Sequence, residues 1–164
     1  MIALVTGMSA TGKSAAVAGL RAAGVEAVDC DTDLRDGRPL VVQVPDGSTA
    51  GGSEWMLDPV AFAALLAEPR SAPLFVSACC RNQQDFRDSF DVVVLLTAPA
   101  PVILGRLVDR TSNPYGKHPR ERDEVVANLA AVEPLLRRTA DVVIDTSRVG
   151  PAEVVAHLLA LVGR

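Results

Sequence analysis

The amino-acid sequence predicts an α/β fold with a parallel central sheet. Short apolar segments alternate with longer amphipathic segments along the chain, which is the pattern of strands joined by crossover helices. The last two apolar segments are almost continuous runs of Val, Leu and Ile, as expected for strands that are buried on both faces. The chain has 164 residues, of which 49% are hydrophobic, and is long enough to bury the core of a single domain.

Five apolar runs are predicted to be the strands of this sheet. They are Ile2–Thr6, Glu26–Asp29, Leu74–Ser77, Val92–Thr97 and Val142–Asp145. Parallel strands need crossover connections, and the connecting helices must cover both faces of the sheet. We therefore expect a three-layer αβα domain that spans residues 1–164.

The segments between these strands carry helical periodicity and recognisable end signals. They are Lys13–Ala23, Pro59–Ala67, Ala100–Arg110, Arg120–Arg138 and Pro151–Leu161. Gly24 favours the end of the first helix, and Asp58 can cap the second helix just before Pro59. Pro134 lies inside the fourth segment, where it is expected to kink or end the helix.

One long connection is predicted to be an insertion outside the sheet. Residues 35–54, RDGRPLVVQVPDGSTAGGSE, are rich in turn-forming residues and contain one short apolar run. This composition indicates a mobile segment with a hairpin near Leu40–Val44.

Composition argues against several classes of protein. The 16 basic and 20 acidic residues give a formal net charge of −4, and aromatic residues make up only 4%, whereas broad nucleic-acid binding favours a basic surface. No uncharged run approaches the roughly 18 residues that span a membrane, and no secretory signal precedes the first strand. The three cysteines form neither a disulfide framework nor a zinc-binding spacing. We therefore expect a cytoplasmic protein that binds neither nucleic acid nor a membrane.

The most specific motif follows the first strand. The segment GMSATGKS, from Gly7 to Ser14, fits the phosphate-binding pattern G-x-x-x-x-G-K-S and lies between a predicted strand and a predicted helix. Glycines let successive backbone N–H groups point toward phosphate oxygens, and the start of the helix adds a positive end. Lys13 is expected to reach the β and γ phosphates, and Ser14 to offer its hydroxyl to Mg²⁺.

We therefore expect ATP, or another nucleoside triphosphate, to bind this loop together with Mg²⁺. The predicted nucleotide-binding residues of the loop are Gly7, Met8, Ser9, Ala10, Thr11, Gly12, Lys13, Ser14 and Ala15. The alternative is a glycine turn that matches the motif by chance. The chain holds two lysines, Lys13 and Lys117, against fourteen arginines, which indicates that lysine is kept where a compact charge is needed.

The sequence resembles the small-molecule P-loop kinases, such as the shikimate, gluconate and nucleoside monophosphate kinases. The resemblance begins with GMSATGKS and extends over nearly the whole chain, although only this first motif is highly specific. It implies a P-loop NTPase fold with a five-stranded sheet in the order 2-3-1-4-5, an acceptor-binding region after the second strand and a mobile lid that carries arginines. These parts correspond to an insertion at about residues 34–57 and a lid at about residues 111–120.

Three aspartates cluster where the second strand ends. The segment VDCDTDL contains Asp29, Asp31 and Asp33, and its DTD resembles the shikimate kinase pattern. That resemblance implies that Asp31 helps to hold Mg²⁺ and that Asp33 takes or orients the acceptor hydroxyl. A hydroxyl that attacks a γ phosphate must be aligned and must lose its proton, and a carboxylate can do both. The alternative is that aspartates, which are common in turns, merely end the strand.

A cationic segment is predicted to close over the nucleotide. In RLVDRTSNPYGKHPRER, Arg106 and Arg110 are four residues apart and share one helix face, and Lys117 and Arg120 follow in the loop. By the resemblance, such a lid brings cations to the transferring phosphoryl group, and its closure excludes water. We expect Arg110 and Lys117 to act in catalysis, and Arg106 and Arg110 to contact the nucleotide. A solvated basic helix end is the alternative.

The turn after the last strand is a weaker candidate site. Asp145, Thr146, Ser147 and Arg148 fall where the resembling kinases hold adenine with backbone atoms, and Thr146 is predicted to contact the nucleotide. An ordinary strand-to-helix turn with a Ser or Thr cap explains the same residues.

The third strand departs from the family pattern. The segment LFVSACCRNQ has no Walker-B-type aspartate after its apolar run and no shikimate-like glycine run. Magnesium would then depend on Ser14, Asp31 and water, with Ser77 in a bridging role. Cys79 and Cys80 are interpreted as small strand-end residues and not as nucleophiles.

Several residues are candidates for binding the acceptor. They are Arg35, Arg38, Trp55, Arg81 and Asn82. The arginines of the insertion suit a carboxylate or a phosphate, whereas the indole suits a ring. Shikimate itself is not expected, because its binding pattern is missing. His118, in the predicted lid, is expected to be a solvated side chain.

Together these features predict an ATP-dependent phosphotransferase that moves the γ-phosphoryl group to a hydroxyl or phosphate of a small molecule. Two other functions are compatible with the sequence: a nucleotide hydrolase with water as the acceptor, and a nucleotide sensor without catalysis, which the missing Walker-B carboxylate would suit. The acceptor, the choice between ATP and GTP, and the oligomeric state are left open.

Overall fold

The molecule is built around a sheet of five parallel strands. A computed structural model describes residues 1–47, 52–111 and 115–162. Its strands are β1 (Ile2–Thr6), β2 (Glu26–Asp29), β3 (Leu34–Arg35), β4 (Arg38–Pro39), β5 (Val41–Pro45), β6 (Ser53–Leu57), β7 (Leu74–Ser77), β8 (Val92–Thr97) and β9 (Val142–Asp145). The central sheet has the order β2-β7-β1-β8-β9, which is 2-3-1-4-5 when its own strands are counted. The predicted fold class, strand order and bounds of the five sheet strands are confirmed.

Helices cover both faces of this sheet. They are α1 (Lys13–Ala22), α2 (Pro59–Ala67), α3 (Ala100–Asp109), α4 (Pro119–Thr139) and α5 (Pro151–Val162), with a short 3-10 helix at Gln83–Ser89. One core cluster joins α1 and α5 to the sheet around Phe75, and a second joins α2 to the opposite face around Phe62. A third cluster packs Ile103 and Leu107 of α3 against Val125 of α4. These layers leave the carboxyl ends of the strands open to the loops.

Local signals in the sequence explain where two of the helices begin and end. Asp58 caps α2, since its carboxylate accepts hydrogen bonds from the backbone N–H groups of Val60 and Ala61 at 3.0 and 2.8 Å. α4 does not end at Pro134 but continues to Thr139. Leu136, beyond the proline, is buried, and burial of this side chain offsets the lost helical hydrogen bond.

The predicted insertion contains two small antiparallel hairpins. β3 pairs with β4, and β5 pairs with β6. The predicted hairpin near Leu40–Val44 corresponds to β5, whose partner β6 was not predicted. Residues 48–51, in the predicted insertion, and residues 112–114, in the predicted lid, lie outside the described part of the chain.

A buried asparagine attaches the β5–β6 hairpin to the rest of the molecule. Asn82 is 7% exposed, and its amide group bonds both backbone groups of Leu57. The Leu57 N–H donates to Asn82 Oδ1 at 2.8 Å, and Asn82 Nδ2 donates to the Leu57 carbonyl at 3.0 Å. Asn82, predicted as an acceptor-binding residue, therefore uses its side chain to hold β6 in place.

Among residues 1–47, 52–111 and 115–162, no helix is both long enough and apolar enough to cross a lipid bilayer.

The Asn82 bridge leads to a prediction about stability. Asn82→Ala would leave a buried backbone donor and a buried acceptor of Leu57 unpaired, and we expect the free energy of unfolding to fall by about 1–3 kcal/mol. Urea denaturation measures this change. Asp88→Ala, an exposed site on the same 3-10 helix, is the control and should stay within about 0.5 kcal/mol of the wild type. An equally small effect at Asn82 would contradict the structural role.

Candidate functional site

The candidate site begins at the loop between β1 and α1. Three of its residues have positive φ angles: Gly7 at 147°, Ala10 at 61° and Gly12 at 104°. A Cβ atom at Gly7 would overlap the backbone carbonyl of Leu96 and would approach Thr11 Oγ1 to 2.7 Å. Glycine is therefore required here by both conformation and space, because the loop lies directly against β8.

Lys13 is the first residue of α1, and its side chain folds back over this loop. Its ammonium donates hydrogen bonds to the carbonyls of Gly7 at 2.7 Å and Met8 at 3.2 Å. The Thr11 hydroxyl also donates to the Met8 carbonyl, at 2.8 Å. A positive charge is thus held above a backbone turn at the N-terminus of a helix, an arrangement that attracts anions.

A pocket of about 220 Å³ lies beside the loop. Its lining residues come from the loop, from α1 and from the turn that leads into α5. Arg106 of α3 joins the two sides, because its guanidinium donates to the Ala10 carbonyl at 3.2 Å, to Thr146 Oγ1 at 2.8 Å and to the Thr146 carbonyl at 2.6 Å. Arg106 and Thr146, both predicted to contact the nucleotide, therefore contact each other at the edge of one pocket.

The two aspartates predicted to act in chemistry have different surroundings. The Asp33 carboxylate accepts hydrogen bonds from the Arg21 guanidinium of α1 and, at 2.8 Å, from the backbone N–H of Asp29. Asp31 makes no side-chain hydrogen bond within the described ranges, and the residue as a whole is exposed. Desolvation of its carboxyl group raises the pKa of Asp31, and the nearby Lys13 ammonium opposes that increase. Asp31 is thus the predicted carboxylate that lies within electrostatic range of Lys13.

The carboxyl end of β7 brings buried polar groups to the same edge. Ser77 is fully buried, and its hydroxyl has no hydrogen-bond partner in the described part of the chain. Gln83 is 2% exposed; its Oε1 accepts hydrogen bonds from Thr6 Oγ1 at 3.1 Å and from the Cys80 N–H at 3.4 Å. The Gln83 Nε2 donor has no partner among the described residues. Two buried polar atoms therefore remain available close to the loop.

Sequence reasoning missed Gln83 and Arg21 as parts of this site. Gln83 lies six residues beyond the end of β7, and Arg21 lies on the last turn of α1. Neither residue belongs to a recognisable motif, and only the tertiary structure brings them to the loop and to Asp33.

Two of the cysteines beside this edge, Cys30 and Cys80, have pKa values raised by burial. Cys30 and Cys80 are buried, and Cys79 is partly exposed. Burial raises the pKa of Cys80 to about 12, and the nearby Asp31 carboxylate adds to the increase. Burial also raises the pKa of Cys30 well above the range of an ordinary thiol. Thiolates, the reactive form, are therefore scarce at Cys30 and Cys80.

The residues predicted to form a lid are partly held by α3 and α4. The Arg110 guanidinium donates to the Tyr115 carbonyl at 2.8 Å and approaches Ser9 Oγ at 3.5 Å. Burial lowers the pKa of Arg110, and its Nε is buried without a partner among the described residues. Lys117 instead donates to carbonyls at the end of α3, those of Val108 and, at 2.6 Å, Arg110. Arg110 therefore reaches the loop, and Lys117 does not contact it.

The start of α4 also holds this segment. Glu121 accepts hydrogen bonds from the backbone N–H groups of Gly116 and His118 at 2.8 and 3.1 Å, which lower the pKa of Glu121. His118 caps the helix, because its Nδ1 accepts a hydrogen bond from the Arg120 N–H at 3.3 Å. The imidazole predicted to be solvated thus has a structural role, although it stays exposed.

The loop, the pocket and the nearby side chains fit a magnesium–nucleotide ligand. Gly7 has no room for a Cβ atom, and the Lys13 ammonium lies over the loop at the N-terminus of α1, which suits an anionic ligand. Among the described residues, no three His, Cys, Asp or Glu side chains form a metal-binding cluster. Mg²⁺ in nucleotide sites is typically held by one or two protein ligands together with phosphate oxygens and water.

The contrast between the two aspartates leads to a prediction about stability. In a metal-free buffer at pH 7, we expect Asp31→Asn to raise the free energy of unfolding, because a desolvated charge is removed. A raised pKa in the folded state means that this carboxyl destabilises the protein as pH rises through that pKa. The difference in the free energy of unfolding between Asp31→Asn and the wild type should therefore shrink as the pH falls from the raised pKa of the folded state to the ordinary pKa of an Asp carboxyl.

Asp33→Asn is the matched variant for this experiment. It loses the ion pair with Arg21, so we expect the free energy of unfolding to fall at pH 7. Urea denaturation at several pH values measures both changes. Equal effects at the two positions would contradict the different surroundings of the two carboxylates.

Comparison with known proteins adds structural neighbours but no sequence relatives. No protein-family model matches the chain, and no curated protein matches it in sequence. Shikimate kinase from Acinetobacter baumannii, solved with shikimate, matches with a TM-score of 0.66 at 18% identity over 98% of this chain and 91% of its own.

Two further solved structures match at similar levels. Shikimate kinase from Aquifex aeolicus has a TM-score of 0.61 at 19% identity, covering 98% of this chain and 95% of its own. A gluconokinase from Sinorhizobium meliloti has a TM-score of 0.60 at 21% identity, and the match covers 99% of this chain and 91% of the gluconokinase chain. At these identities the likeness concerns the fold, and the chain has the fold of the small-molecule P-loop kinases.

Proposed function

We propose that this protein is a phosphotransferase that moves the γ-phosphoryl group of ATP to a hydroxyl or phosphate of a small molecule. The observation that carries the proposal is the Lys13 ammonium held over the loop between β1 and α1, where it donates to the carbonyls of Gly7 and Met8 at 2.7 and 3.2 Å. Asp31 follows β2 at the same edge of the sheet. Lys13 lies over a loop suited to phosphate, and Asp31 is a carboxylate whose oxygens are not used in side-chain hydrogen bonds within the described ranges. The kinase fold supports the same reaction class.

The loop and its neighbours would bind the nucleotide. Backbone N–H groups of residues 7–15 and the Lys13 ammonium would hold the phosphates, and the pocket beside Arg106 and Thr146 would receive the base and the sugar. Ser14 would hold Mg²⁺ together with phosphate oxygens, and the ion neutralises negative charge on the phosphates. Asp31, which the family resemblance implied for Mg²⁺, is assigned here to the acceptor instead. A triphosphate in this position would have its γ end directed toward the carboxyl ends of β2 and β7.

Asp31 is our choice for the carboxylate that aligns the acceptor hydroxyl. Asp33, which the family resemblance implied for this role, already accepts hydrogen bonds from Arg21 and from the backbone of Asp29. A raised pKa favours proton acceptance, since the carboxylate is a stronger base. We assign Asp33 to positioning, because it connects α1 to the segment that carries Asp31.

Arg110 is our choice for the cation that stabilises the transferring group. It reaches Ser9 of the loop, and part of its guanidinium is buried without a partner among the described residues. A buried guanidinium of this kind stabilises a transition state in which negative charge develops beside it. The Lys117 ammonium donates to the carbonyls of Val108 and Arg110 at the end of α3. It would have to break these hydrogen bonds to contact the transferring phosphoryl group.

The first prediction concerns nucleotide binding. Lys13→Ala should weaken binding of ATP with Mg²⁺ at least about tenfold, the loss expected when a charge-assisted hydrogen bond of about 1.5 kcal/mol is removed. Isothermal calorimetry measures this change. Arg138→Ala removes an exposed cation on α4 and should bind ATP as the wild type does. No heat from the wild type on titration with ATP or GTP would contradict the whole proposal.

The second prediction concerns catalysis. With an active acceptor, Arg110→Ala should lower kcat by about 10³-fold or more, because it removes positive charge needed in the transition state. Arg138→Ala, at an exposed position near the end of α4, should stay near the wild type.

Coupled detection of ADP across a panel of hydroxylated metabolites and nucleotides provides the assay. ADP release that depends on the acceptor supports a kinase. Rapid release without any acceptor would instead indicate a hydrolase, and ATP binding without turnover would indicate a sensor.

A further inference from the structure

The arginines near the predicted acceptor region are mostly engaged with carboxylates. Arg35 forms a two-point ion pair with Glu68, and its Nε donates to Glu68 Oε1 at 2.8 Å. Arg81 donates to Glu54 at 2.6 Å. Among the described residues, Arg38 is the insertion arginine without a hydrogen-bond or ion-pair partner. Two of the arginines predicted to bind an anionic acceptor, Arg35 and Arg81, are therefore neutralised by carboxylates of the protein itself.

This pairing disfavours an anionic acceptor. Recognition of a carboxylate or phosphate depends on guanidinium groups that present free N–H donors. An anion that displaced Glu68 from Arg35, or Glu54 from Arg81, would leave a carboxylate of the protein without its partner. In the described part of the insertion, Arg38 is the arginine left to meet an anion, so this region offers less free positive charge than its sequence suggests.

One face of the β5–β6 hairpin offers neutral groups in place of cations. Side chains alternate between the two faces of a strand, and Val41 is paired with Leu57 and Gln43 with Trp55 in the hairpin register. At one end of this face Leu57 is fully buried and Val41 packs against the same core. Trp55, on the same face, is nevertheless 57% exposed.

The indole has hydrogen-bonding groups beside it. Gln43, opposite Trp55, donates through Nε2 to the Ser53 hydroxyl at 2.5 Å, and both residues are exposed. Their amide and hydroxyl groups retain further donor and acceptor capacity. An aromatic face next to a neutral amide and a hydroxyl is therefore accessible at the part of this face that lies beyond Val41 and Leu57.

Backbone contacts connect this face to the reacting edge. The Arg81 N–H donates to the Trp55 carbonyl at 3.3 Å. The preceding residue, Cys80, lies within electrostatic range of both Asp31 and Lys13. The chain segment that holds Trp55 thus borders the edge where the γ-phosphoryl group would arrive.

We propose that the phosphoryl acceptor is an uncharged ring that bears hydroxyl groups, stacked on Trp55. Apolar ring faces pack well on an indole, and ring hydroxyls suit Gln43 and Ser53. The transfer would break the bond between the γ phosphorus and the bridging oxygen of ATP and form a bond from that phosphorus to a ring hydroxyl oxygen. The hydroxyl proton would pass to Asp31, and ADP would leave. The inference rests on the proposed kinase function.

The experiment compares neutral and anionic rings as acceptors. Myo-inositol, methyl glycosides and other neutral cyclic polyols form one panel; uronates, shikimate and nucleoside monophosphates form the other. ADP release with ATP and Mg²⁺ is measured for each compound. Trp55 is the only tryptophan in the chain, so indole fluorescence reports on this site alone. We expect neutral compounds to stimulate ADP release and to change the fluorescence, and anionic compounds to do neither.

Variants at Trp55 test the stacking contact. Trp55→Ala should raise KM for a stimulating neutral compound roughly tenfold, because stacking and apolar burial are both lost. Trp55→Phe keeps an aromatic face and should stay within about threefold of the wild type. Leu135→Ala, at an apolar position of α4 that is 50% exposed, should leave KM unchanged. Thermal unfolding of each variant checks that it is folded.

The outcomes separate this inference from the proposed function. If calorimetry shows no ATP binding by the wild type, the proposed function itself fails. If ATP binds and only anionic compounds stimulate ADP release, the kinase stands and the inference is wrong. The inference is also overturned if no neutral ring stimulates turnover, or if Trp55→Ala leaves KM unchanged.

Discussion

The parallel register of three strands is the constraint on which the candidate site depends. Asp29 of β2 is paired with Ser77 of β7, and Ser77 is paired with Val5 of β1. Because all three strands run in the same direction, the segments that follow them emerge at one edge of the sheet. Those segments carry Asp31, the Gln83 amide and the phosphate-binding motif with Lys13. Lys13, Asp31 and Gln83 are therefore brought to one edge of the sheet by the fold, although no single sequence motif contains all three.

This edge is built at the expense of stability. Two buried polar atoms, of Ser77 and Gln83, lack partners in the described ranges, and the Asp31 carboxyl is desolvated. Gly7 is confined to a conformation and a space that exclude other residues. Such features are costly in a structural region and common where a protein binds ligands, since the ligand supplies the missing partners. The surrounding core compensates, because the three central strands β1, β7 and β8 are almost fully buried.

Strands and helices could be predicted from the sequence because each depends on local patterns, whereas the phosphate-binding role of the loop after β1 stays a prediction. The bounds of all five sheet strands were right, although only β1, β7 and β8 are largely buried on both faces. The expectation that β9 is buried on both faces was wrong, because β9 lies at the edge of the sheet and its Val143 is 41% exposed. The Arg21–Asp33 ion pair could not be predicted, because it joins a helix and a loop through the fold alone. β6 was missed since its sequence, SEWML, lacks a clear alternation. The use of Asn82, His118 and Lys117 as caps or bridges likewise depends on which backbone groups are left unpaired nearby.

The contacts of Arg106 have a consequence for the kinetics of ligand capture. One guanidinium ties Ala10 of the loop to Thr146, across the mouth of the pocket. A crosslink of this kind restricts the conformations of a glycine-containing loop before any ligand arrives, so less entropy is lost on association. The loop is thus preorganised, and encounter with a polyanion does not have to wait for a slow rearrangement of the backbone.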